Sequence, residues 1–462
     1  MSTDIFMYQE IAQKKFDALK HKRDVVILGI ETSCDETAAA LVLNGRRLLS
    51  NVISSQIELH RKFGGVVPEV ASRNHTLAIN AVVNEALAKA GIRAQDLDAI
   101  AVTYGAGLAG ALLVGVSYAK AMAYALGLPL IRVNHIEAHI CANFIRASEE
   151  LGVRSEGRRT CQRAGTPDAE HKNNGLAQTI PSAIPNSSLL TPNSSSLPTS
   201  SFLLPTSFPI PHSPSPIPPF LAVAASGGHT GIIEVRDYHD YRLIGGTVDD
   251  AIGEAFDKVA RLLSLPYPGG PEIDRLSKLG KPVINFYKHS KGVDKDLRLS
   301  YSGLKTAVVN YINTAKMKGE VINVPDVCAS FTRQAVDLLV DTAVYAAKER
   351  GYDTIVLAGG VAANGYLRER LDGLASAGRR PTNEELGIRS EELRIDFGKS
   401  ITPHSSLLIP HFKIFYPPPV LCTDNAAMVA SRAYFSILAG EDLADLHLNA
   451  ESGLQIKGEK LG

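Results

Sequence analysis

The sequence predicts an α/β protein built from two similar lobes. After Val25 the hydrophobic pattern indicates three strands followed by alternating helices and strands, and the same order returns after Phe220. Between the two copies lies a stretch rich in Ser and Pro that has neither a helical nor a strand period. A repeated α/β unit interrupted in this way predicts two domains, each with its own core.

The first lobe is predicted over residues 25–146, completed by a C-terminal helix within 425–446. Residues 1–24 are expected to form an N-terminal extension, in which basic and acidic residues are mixed. The predicted elements are, in order, strands in VVILGIET, AAALVL and RRLLSNVISS, a helix over 68–90, a strand in DAIAVTYG, a helix over 108–126, a strand in PLIRVN and a helix from His135.

The second lobe is predicted over residues 220–424, with a surface insertion at 376–410, and the segment 147–219 is expected to be disordered. Its elements are strands in FLAVAAS, GIIEVRD and YRLIGG, helices over 249–263, 303–312 and 327–350, a strand in TIVLAGG, a helix in GYLRERL and a strand in FKIFYP. Two such units are typical of the actin/Hsp70-like (ASKHA) fold, in which two RNase H-like lobes enclose a cleft. A nucleotide-like ligand is expected in that cleft.

Composition narrows the class of protein. The 462 residues are 45% hydrophobic and 21% charged, which is ordinary for a soluble chain, and no apolar run is long enough for a membrane span. Five cysteines without a C-x-x-C pair argue against a disulfide framework or a thiolate zinc site. The formal net charge is zero, so any contact with nucleic acid would need a local basic patch or a helper subunit.

His135 and His139 are candidate metal ligands. They lie at i and i+4 after a strand, so a helix would present both imidazoles on one face. Asp424 lies at the equivalent strand-to-helix turn of the second lobe. It could cap the final helix, or it could complete a site of two histidines and one carboxylate.

Glu137 argues against a zinc protease. In H-E-x-x-H enzymes the general base directly follows the first histidine, whereas Glu137 stands two residues after His135. Glu137 is three residues after Asn134, and this spacing is that of a capping box. We therefore interpret Glu137 as a structural acid.

Two turns between strands are candidate ligand sites. The glycines of Ser226-Gly227-Gly228 would let backbone N–H groups approach an anion, although an ordinary tight hairpin has the same composition. In the first lobe Asp35 and Glu36 occupy the corresponding turn, as active carboxylates or as solvated ones. The segment ending in Asn364, GGVAAN, follows a buried strand where this fold places a purine and ribose.

Nine segments, in order over both lobes, resemble the signature blocks of one family. They are GIETSCDET, FGGVVPEVASRNH, NHIEAH, SGGHT, DDAIGEAFDKVARLL, YPGGP, SYSGLKTAV, LAGGVAAN and CTDNAA. Together they resemble the TsaD family of tRNA N6-adenosine threonylcarbamoyltransferases, formerly described as O-sialoglycoprotein endopeptidases. The forms GIETSCDET and NHIEAH resemble its bacterial and mitochondrial branch, and the Ser/Pro insertion looks eukaryotic, so a mitochondrial protein is expected, with a cytoplasmic one as the alternative.

This resemblance implies transfer of a threonylcarbamoyl group from L-threonylcarbamoyl-adenylate to N6 of the adenosine 3′ of the anticodon in ANN-decoding tRNAs, with release of AMP. It implies one divalent metal ion per subunit, iron or zinc, held by His135, His139 and Asp424, and activity that depends on Asp35 and Glu36. The residues implied to bind the adenylate are Ala224, Ala225, Ser226, Gly227, Gly228, Asp257, Gly270, Asp274 and Asn364. The implied partners are tRNA, the adenylate with its synthase, and a second copy in a homodimer, without a membrane.

Three other functions remain as alternatives: a metalloprotease, an ATP-dependent small-molecule kinase of the same fold, and a nucleotide-binding partner subunit without activity of its own. The position of Glu137 disfavours the protease, and the histidine pair does not support the kinase. A basic stretch is the candidate surface for the tRNA backbone, and it consists of Lys278, Lys281, Lys288, Lys291, Lys295, Arg298 and Lys305.

Overall fold

The strands form two sheets. A computed structural model describes residues 3–147, 215–286, 293–376 and 412–458. The strands are β1 (Val26–Glu31), β2 (Glu36–Leu43), β3 (Arg47–Ser55), β4 (Ala99–Gly105), β5 (Leu130–Asn134), β6 (Arg146–Ala147), β7 (Phe220–Ala225), β8 (Thr230–Asp237), β9 (Asp240–Thr247), β10 (Arg298–Leu299), β11 (Thr354–Ala358), β12 (Lys413–Phe415) and β13 (Leu443–Ala444).

Both sheets are mixed and share one topology. The first has the order β13-β5-β4-β1-β2-β3-β6 and the second β10-β9-β8-β7-β11-β12. In each, three antiparallel strands come first in the chain, and a later strand joins the first of them in parallel, β4 beside β1 and β11 beside β7. The fold is therefore the predicted actin/Hsp70-like one of two RNase H-like lobes.

The helices surround these sheets. They are α1 (Thr3–Leu19), α2 (Ile57–Arg61), α3 (Pro68–Ala90), α4 (Ala109–Leu126), α5 (His135–Cys141), α6 (Ile252–Leu262), α7 (Gly269–Ser277), α8 (Ser302–Lys318), α9 (Val324–Arg350), α10 (Gly365–Ser376), α11 (Pro419–Cys422) and α12 (Ala426–Ala439). Helix α3 has the predicted bounds because Pro68 occupies its first turn and Gly91, at φ 64°, ends it. Helix α8 runs six residues past the predicted Ile312, as far as the left-handed Gly319.

The N-terminal segment differs from the prediction of an extension outside the first lobe. It forms α1, whose Tyr8, Ala12, Phe16 and Leu19 are buried against the first lobe. The Tyr8 hydroxyl also donates to the Leu128 carbonyl at 3.0 Å. This helix is therefore part of the first lobe.

The predicted insertions lie almost wholly outside the described residues, which resume at Ser215 and Phe412. The first insertion was predicted to begin at Ala147 and to include residues 215–219. Ala147 instead belongs to β6. The bounds of the first lobe therefore shift by one residue.

One helix of each lobe packs on the sheet of the other. Helix α12, near the C-terminus, buries Ala426, Val429 and Ala433 against the first sheet. Helix α5, which ends the first α/β unit, buries Ile136 and Ile140 against β7 and β11 of the second sheet. The exchange brings the start of α5 and the start of α12 to the same place between the lobes.

Helix α4 is the one helix in the described part of the chain that has the length and composition of a membrane span, with 18 residues and a mean hydropathy of 1.4. Its Val116, Ala119 and Ala123 pack with β4 and α3 in the core of the first lobe. That packing gives its apolar character a structural reason.

The contact between β1 and α12 allows no side chain at Gly29. A Cβ atom there would lie 2.2 Å from the Ala426 carbonyl oxygen. We expect Gly29→Ala to lower the free energy of unfolding by about 1–3 kcal/mol, since backbone must move to admit the methyl group. Urea unfolding measures this, with Gly373→Ala in α10 as the control. Position 373 is open and helical, so that change should be neutral or slightly stabilising. Equal stability of the two variants would contradict the described packing.

Candidate active site

Helix α5 presents two histidines to the space between the lobes. The Asn134 side chain caps the helix by accepting from the N–H groups of Ile136 at 2.9 Å and Glu137 at 3.3 Å. His135 and His139, one turn apart, are both buried, and their Nε2 atoms lie 3.2 Å apart. The predicted spacing thus places both imidazoles on one face.

Asp424 meets these histidines from the turn before α12. Its Oδ1 lies 3.1 Å from His139 Nε2 and 3.6 Å from His135 Nε2. Asn425, rather than Asp424, caps α12 by accepting from the Met428 N–H at 3.1 Å. The ligand atoms of the three residues all lie within 4.8 Å of one another, which is close enough for one metal ion.

Glu31, the last residue of β1, orients His135 through a hydrogen bond. Its Oε2 accepts from His135 Nδ1 at 3.3 Å and from the Thr103 hydroxyl at 2.5 Å, and its Oε1 accepts from the Ser33 N–H at 2.5 Å. A carboxylate only accepts, so Nδ1 of His135 carries the proton and Nε2 is left for a cation. This is the usual arrangement behind a metal-binding histidine.

The cluster favours positive charge. Burial acts to lower the pKa of His135, yet the Asp424 and Glu31 carboxylates outweigh it and raise that pKa to about 9. Despite burial, His135 and His139 lower the pKa of Asp424. Burial, followed by repulsion from the same two histidines, lowers the pKa of the neighbouring His229 to about 4. The donor set and its charge therefore fit a divalent cation.

Glu137 does not complete the capping box that its spacing predicts. Its carboxylate accepts from Arg432 Nε of α12 at 2.8 Å, because a buried guanidinium is a stronger partner than a backbone N–H. Engaged in this way, Glu137 is not placed to be the general base of a protease. This removes the one acid that the histidine motif could offer to that chemistry.

The turn that carries Asp35 and Glu36 is held by a buried histidine. His75 Nε2 donates to the Cys34 carbonyl at 2.9 Å, and the Thr37 hydroxyl donates to His75 Nδ1 at 2.7 Å. Burial lowers the pKa of His75, which agrees with the neutral form that these two bonds require. The turn is thereby fixed between β1 and β2.

Glu36 has the electrostatics of an acid-base group. Burial, and then the Asp35 and Asp424 carboxylates, raise its pKa well above the usual value. The Ser55 hydroxyl donates to its Oε1 at 3.1 Å, which partly offsets the rise. A buried carboxyl group whose pKa is raised by a neighbouring carboxylate is common at catalytic sites.

The second lobe contributes a wall with little side-chain cover. Ala224 and Ala225 end β7, and the turn through Ser226, Gly227 and Gly228 follows. A Cβ atom at either Gly227 or Gly228 would have nothing within 4 Å. Two backbone segments pack directly against this turn. The Gly253 N–H donates to the Ser226 carbonyl at 3.2 Å, and a Cβ atom on Gly359 would lie 2.4 Å from the Ala225 carbonyl oxygen.

The other predicted adenylate residues extend this wall and also hold it together. Asp257 accepts from the Gly269 N–H at 2.7 Å at the start of α7, where Gly270 is open to the surroundings. Asp274 accepts from the Gly365 N–H at 2.9 Å, and Asn364 caps α10 through the Leu367 N–H at 3.0 Å. These carboxylates and this amide therefore position helix N-termini, which are suited to anions.

The acidic turn faces the second lobe across the cleft. Burial raises the pKa of Tyr267 and of Asp257, and the Asp35 carboxylate adds to both shifts. Arg61 Nε donates to the Tyr267 carbonyl at 3.0 Å, and Arg261 donates to the Gly64 carbonyl from the other side. The two lobes thus meet at this edge of the site.

Sequence reasoning missed three residues of this site. Glu31, His229 and Tyr267 lie inside the quoted motifs, yet no role was assigned to them. A signal existed for Glu31, because it is an acid at the end of the otherwise apolar run VILGIE. His229 and Tyr267 carry no such local signal, since their positions depend on contacts across the fold.

The predicted basic surface is only partly described. Lys288 and Lys291 lie outside the described residues. Three other members are paired with acids: Lys278 with Asp274 at 2.8 Å, Lys305 with Asp250 at 2.7 Å, and Arg298 with Asp294 and Asp296 at 3.4 and 3.3 Å. Pairing weakens the local positive field that the sequence alone suggests.

Comparison with known proteins identifies relatives over nearly the whole chain. The model of the family TsaD, described as tRNA N6-adenosine threonylcarbamoyltransferase, matches residues 47–185 and 208–386. A Clostridium perfringens protein named tRNA N6-adenosine threonylcarbamoyltransferase is 44% identical over 94% of this chain and 99% of its own length. A Clostridium novyi protein of the same name is 44% identical over 95% of this chain and 99% of its own.

A solved structure is similar at lower identity. HypF of T. kodakarensis is 14% identical, covering 92% of this chain and 49% of that one, with a TM-score of 0.47.

These relatives correct one expectation. They are proteins of Clostridium, a bacterial genus, so the expected mitochondrial location is wrong and the relatives point to the cytoplasmic alternative. The expected transferase class is confirmed by the family description and by the names of the relatives. With 44% identity over 94% of its residues, this chain belongs to the TsaD family of tRNA N6-adenosine threonylcarbamoyltransferases.

Proposed function

We propose that this chain transfers the threonylcarbamoyl group of L-threonylcarbamoyl-adenylate to N6 of the adenosine 3′ of the anticodon in ANN-decoding tRNAs, releasing AMP. The observation that carries the proposal is the convergence of His135, His139 and Asp424 beside the acidic turn, in a chain 44% identical to proteins named for this activity. The three converging residues would form a cation site, and the open backbone of the second lobe would admit an anionic ligand.

The three converging residues would hold one divalent ion, iron or zinc. Their imidazole and carboxylate ligands suit either metal and leave coordination positions open. When bound, the ion would withdraw charge from the carbamoyl carbonyl or hold the phosphate. Glu31 would keep His135 oriented through Nδ1, so that Nε2 faces the ion.

The chemical balance of the transfer assigns a task to the acidic turn. A bond forms between adenosine N6 and the carbamoyl carbon, the bond from that carbon to the phosphate oxygen breaks, and AMP leaves with the electron pair. The N6 nitrogen must then lose a proton. Burial and the Asp35 carboxylate raise the pKa of Glu36, so its carboxylate, once ionised, binds a proton more strongly than an ordinary one. We assign proton acceptance to Glu36.

The wall of the second lobe would hold the adenylate. The N–H groups of the Gly227-Gly228 turn are free of side-chain cover and can approach the phosphate. At the start of α7, a Cβ atom on Gly270 would have nothing within 4 Å, so a ligand can approach the backbone there. Asp274 and Asn364 would bind the ribose and base of the adenylate, and they also hold the start of α10 in place. Because N6 of adenosine is a weak nucleophile, positioning should contribute most of the rate.

The further partners are proposals from the same family resemblance. They are tRNA, a separate synthase that supplies the adenylate, and a second copy of the chain in a homodimer. Light scattering of the purified chain tests the homodimer, and a mass near 49.5 kDa would contradict it.

The proposed function is tested by incubating the purified chain with the adenylate and an unmodified ANN-decoding tRNA, then analysing nucleosides by mass spectrometry. We expect threonylcarbamoyladenosine to accumulate. A tRNA with guanosine in place of the acceptor adenosine is the control and should stay unmodified. If the wild-type tRNA also stays unmodified, while the chain cleaves a glycoprotein or phosphorylates a small molecule, the proposal is wrong.

A further inference from the structure

Arg432 lies at the centre of a buried polar cluster between the lobes. Only 4% of this residue is exposed. Its guanidinium donates to Glu137 Oε2 at 2.8 Å, to the Ser436 hydroxyl and to Asp442 Oδ2 at 3.3 Å, and it lies 5.2 Å from the centre of the Tyr241 ring. These partners come from α5, α12, β9 and the segment between α12 and β13. A fully engaged arginine of this kind fixes the elements that contact it.

The cluster joins the two elements that supply the metal ligands. Glu137 lies between His135 and His139 on α5, about 200° around the helix from each, given about 100° per residue. Arg432 lies on α12, six residues or about 9 Å beyond Ala426, and Asp424 lies just before that helix. The ion pair therefore joins the helix that carries the histidine pair to the helix that Asp424 precedes.

The need for such a link follows from the lengths of the elements. Helix α5 has seven residues, too few to be stable alone, and its two histidines must meet a carboxylate almost 290 residues away in sequence. A metal site tolerates displacements of only about 0.5 Å. Apolar packing of Ile136 and Ile140 holds α5 against the second sheet. Such packing has no preferred direction, whereas the hydrogen bonds of Arg432 do.

We propose that the Glu137–Arg432 ion pair is a positioning device that holds α5 against α12 in the register at which His135, His139 and Asp424 bind one cation. Both residues act through the ligands and contact neither metal nor substrate. The inference rests on the proposed metal site, and it adds a reason why an acid stands between the two histidines.

The test measures metal affinity separately from stability. Glu137→Gln keeps the shape of the side chain and removes its charge. The control is Glu234→Gln, which breaks the ion pair with Arg350 at 3.1 Å, on the face of β8 opposite Ile233 and Val235. Competition with a chromogenic chelator gives the Zn²⁺ affinity, and urea gives the free energy of unfolding.

Both variants should be less stable, but only Glu137→Gln should bind Zn²⁺ about 10–100-fold more weakly. Its transfer rate should recover as Zn²⁺ is added in excess. Arg432→Lys keeps the charge but loses the planar set of N–H donors, so it should show the same loss of Zn²⁺ affinity. It is the variant to measure if Glu137→Gln folds poorly.

Wild-type Zn²⁺ affinity in Glu137→Gln and in Arg432→Lys would overturn the proposed role. Failure of the wild-type chain to modify tRNA would instead contradict the proposed function, and the Zn²⁺ affinities would still decide the role of the ion pair. If the wild-type chain itself bound no Zn²⁺, the metal site and this inference would both be wrong.

Discussion

Alanine at His135, His139 or Asp424 is expected to remove bound metal and to lower the transfer rate together. Two remaining ligands are too few to hold a divalent ion in an open site. The ion supplies several kcal/mol of charge stabilisation, so kcat/KM should fall by roughly 10³-fold. Metal content by mass spectrometry, measured on the same samples as the transfer rate, tests this expectation.

The exposed His447 provides the matched control for these substitutions. His447→Ala should retain both metal and activity, because this histidine is exposed and does not belong to the converging group. Full metal content in Asp424→Ala would show that the carboxylate is not a ligand. Loss of activity with full metal content would assign it another role.

Glu36→Gln is expected to lower the transfer rate by about 10²–10⁴-fold, the usual contribution of a general acid-base group. Asp35→Asn should have a smaller effect, since Asp35 acts mainly by raising the pKa of its neighbour. Glu69→Gln, at an exposed position in the first turn of α3, is the control and should keep the full rate. A Glu36→Gln variant with wild-type kcat would contradict the assignment.

The same substitution should stabilise the fold at neutral and alkaline pH. Because the folded pKa of Glu36 is raised, the folded chain keeps this proton to a higher pH than the unfolded chain does. Stability is therefore lost as pH rises from the unfolded pKa through the folded one. Glutamine cannot ionise, so urea unfolding should show a gain for Glu36→Gln above that range and little gain near pH 4. A loss of stability at alkaline pH would contradict this electrostatic account.

Much of the fold was predictable because its strands are buried on both faces. The runs in β1, β4, β7 and β11 are almost wholly apolar, and each is bounded by polar or glycine-rich segments. Helix α1 also had a readable pattern, since Tyr8, Ala12, Phe16 and Leu19 recur at helical spacing. The segment was nevertheless interpreted as an N-terminal extension in which basic and acidic residues are mixed. Helix α7 begins with Gly-Gly-Pro, which predicts a turn, and it forms because Asp257 caps it.

The site was less predictable because its contacts are long-range. The histidine pair and Asp424 could be proposed from local spacing and resemblance, since each stands at a strand-to-helix turn. The partner of Glu137 could not, because Arg432 lies 295 residues away and a capping box already explained the acid locally. Similarly, the bond from Glu31 to His135 spans 104 residues. Local patterns identify candidate ligands, whereas the groups that orient them depend on the tertiary structure.

A single-turnover reaction tests the central claim most directly. The metal-loaded chain, in excess over adenylate labelled in its threonyl group, is mixed with unmodified tRNA and quenched at intervals. We predict that AMP and labelled tRNA appear at the same rate and in equal amounts, with the label on N6 of the adenosine beside the anticodon. Release of AMP without labelled tRNA, or label that stays on the protein, would contradict direct transfer in this cleft.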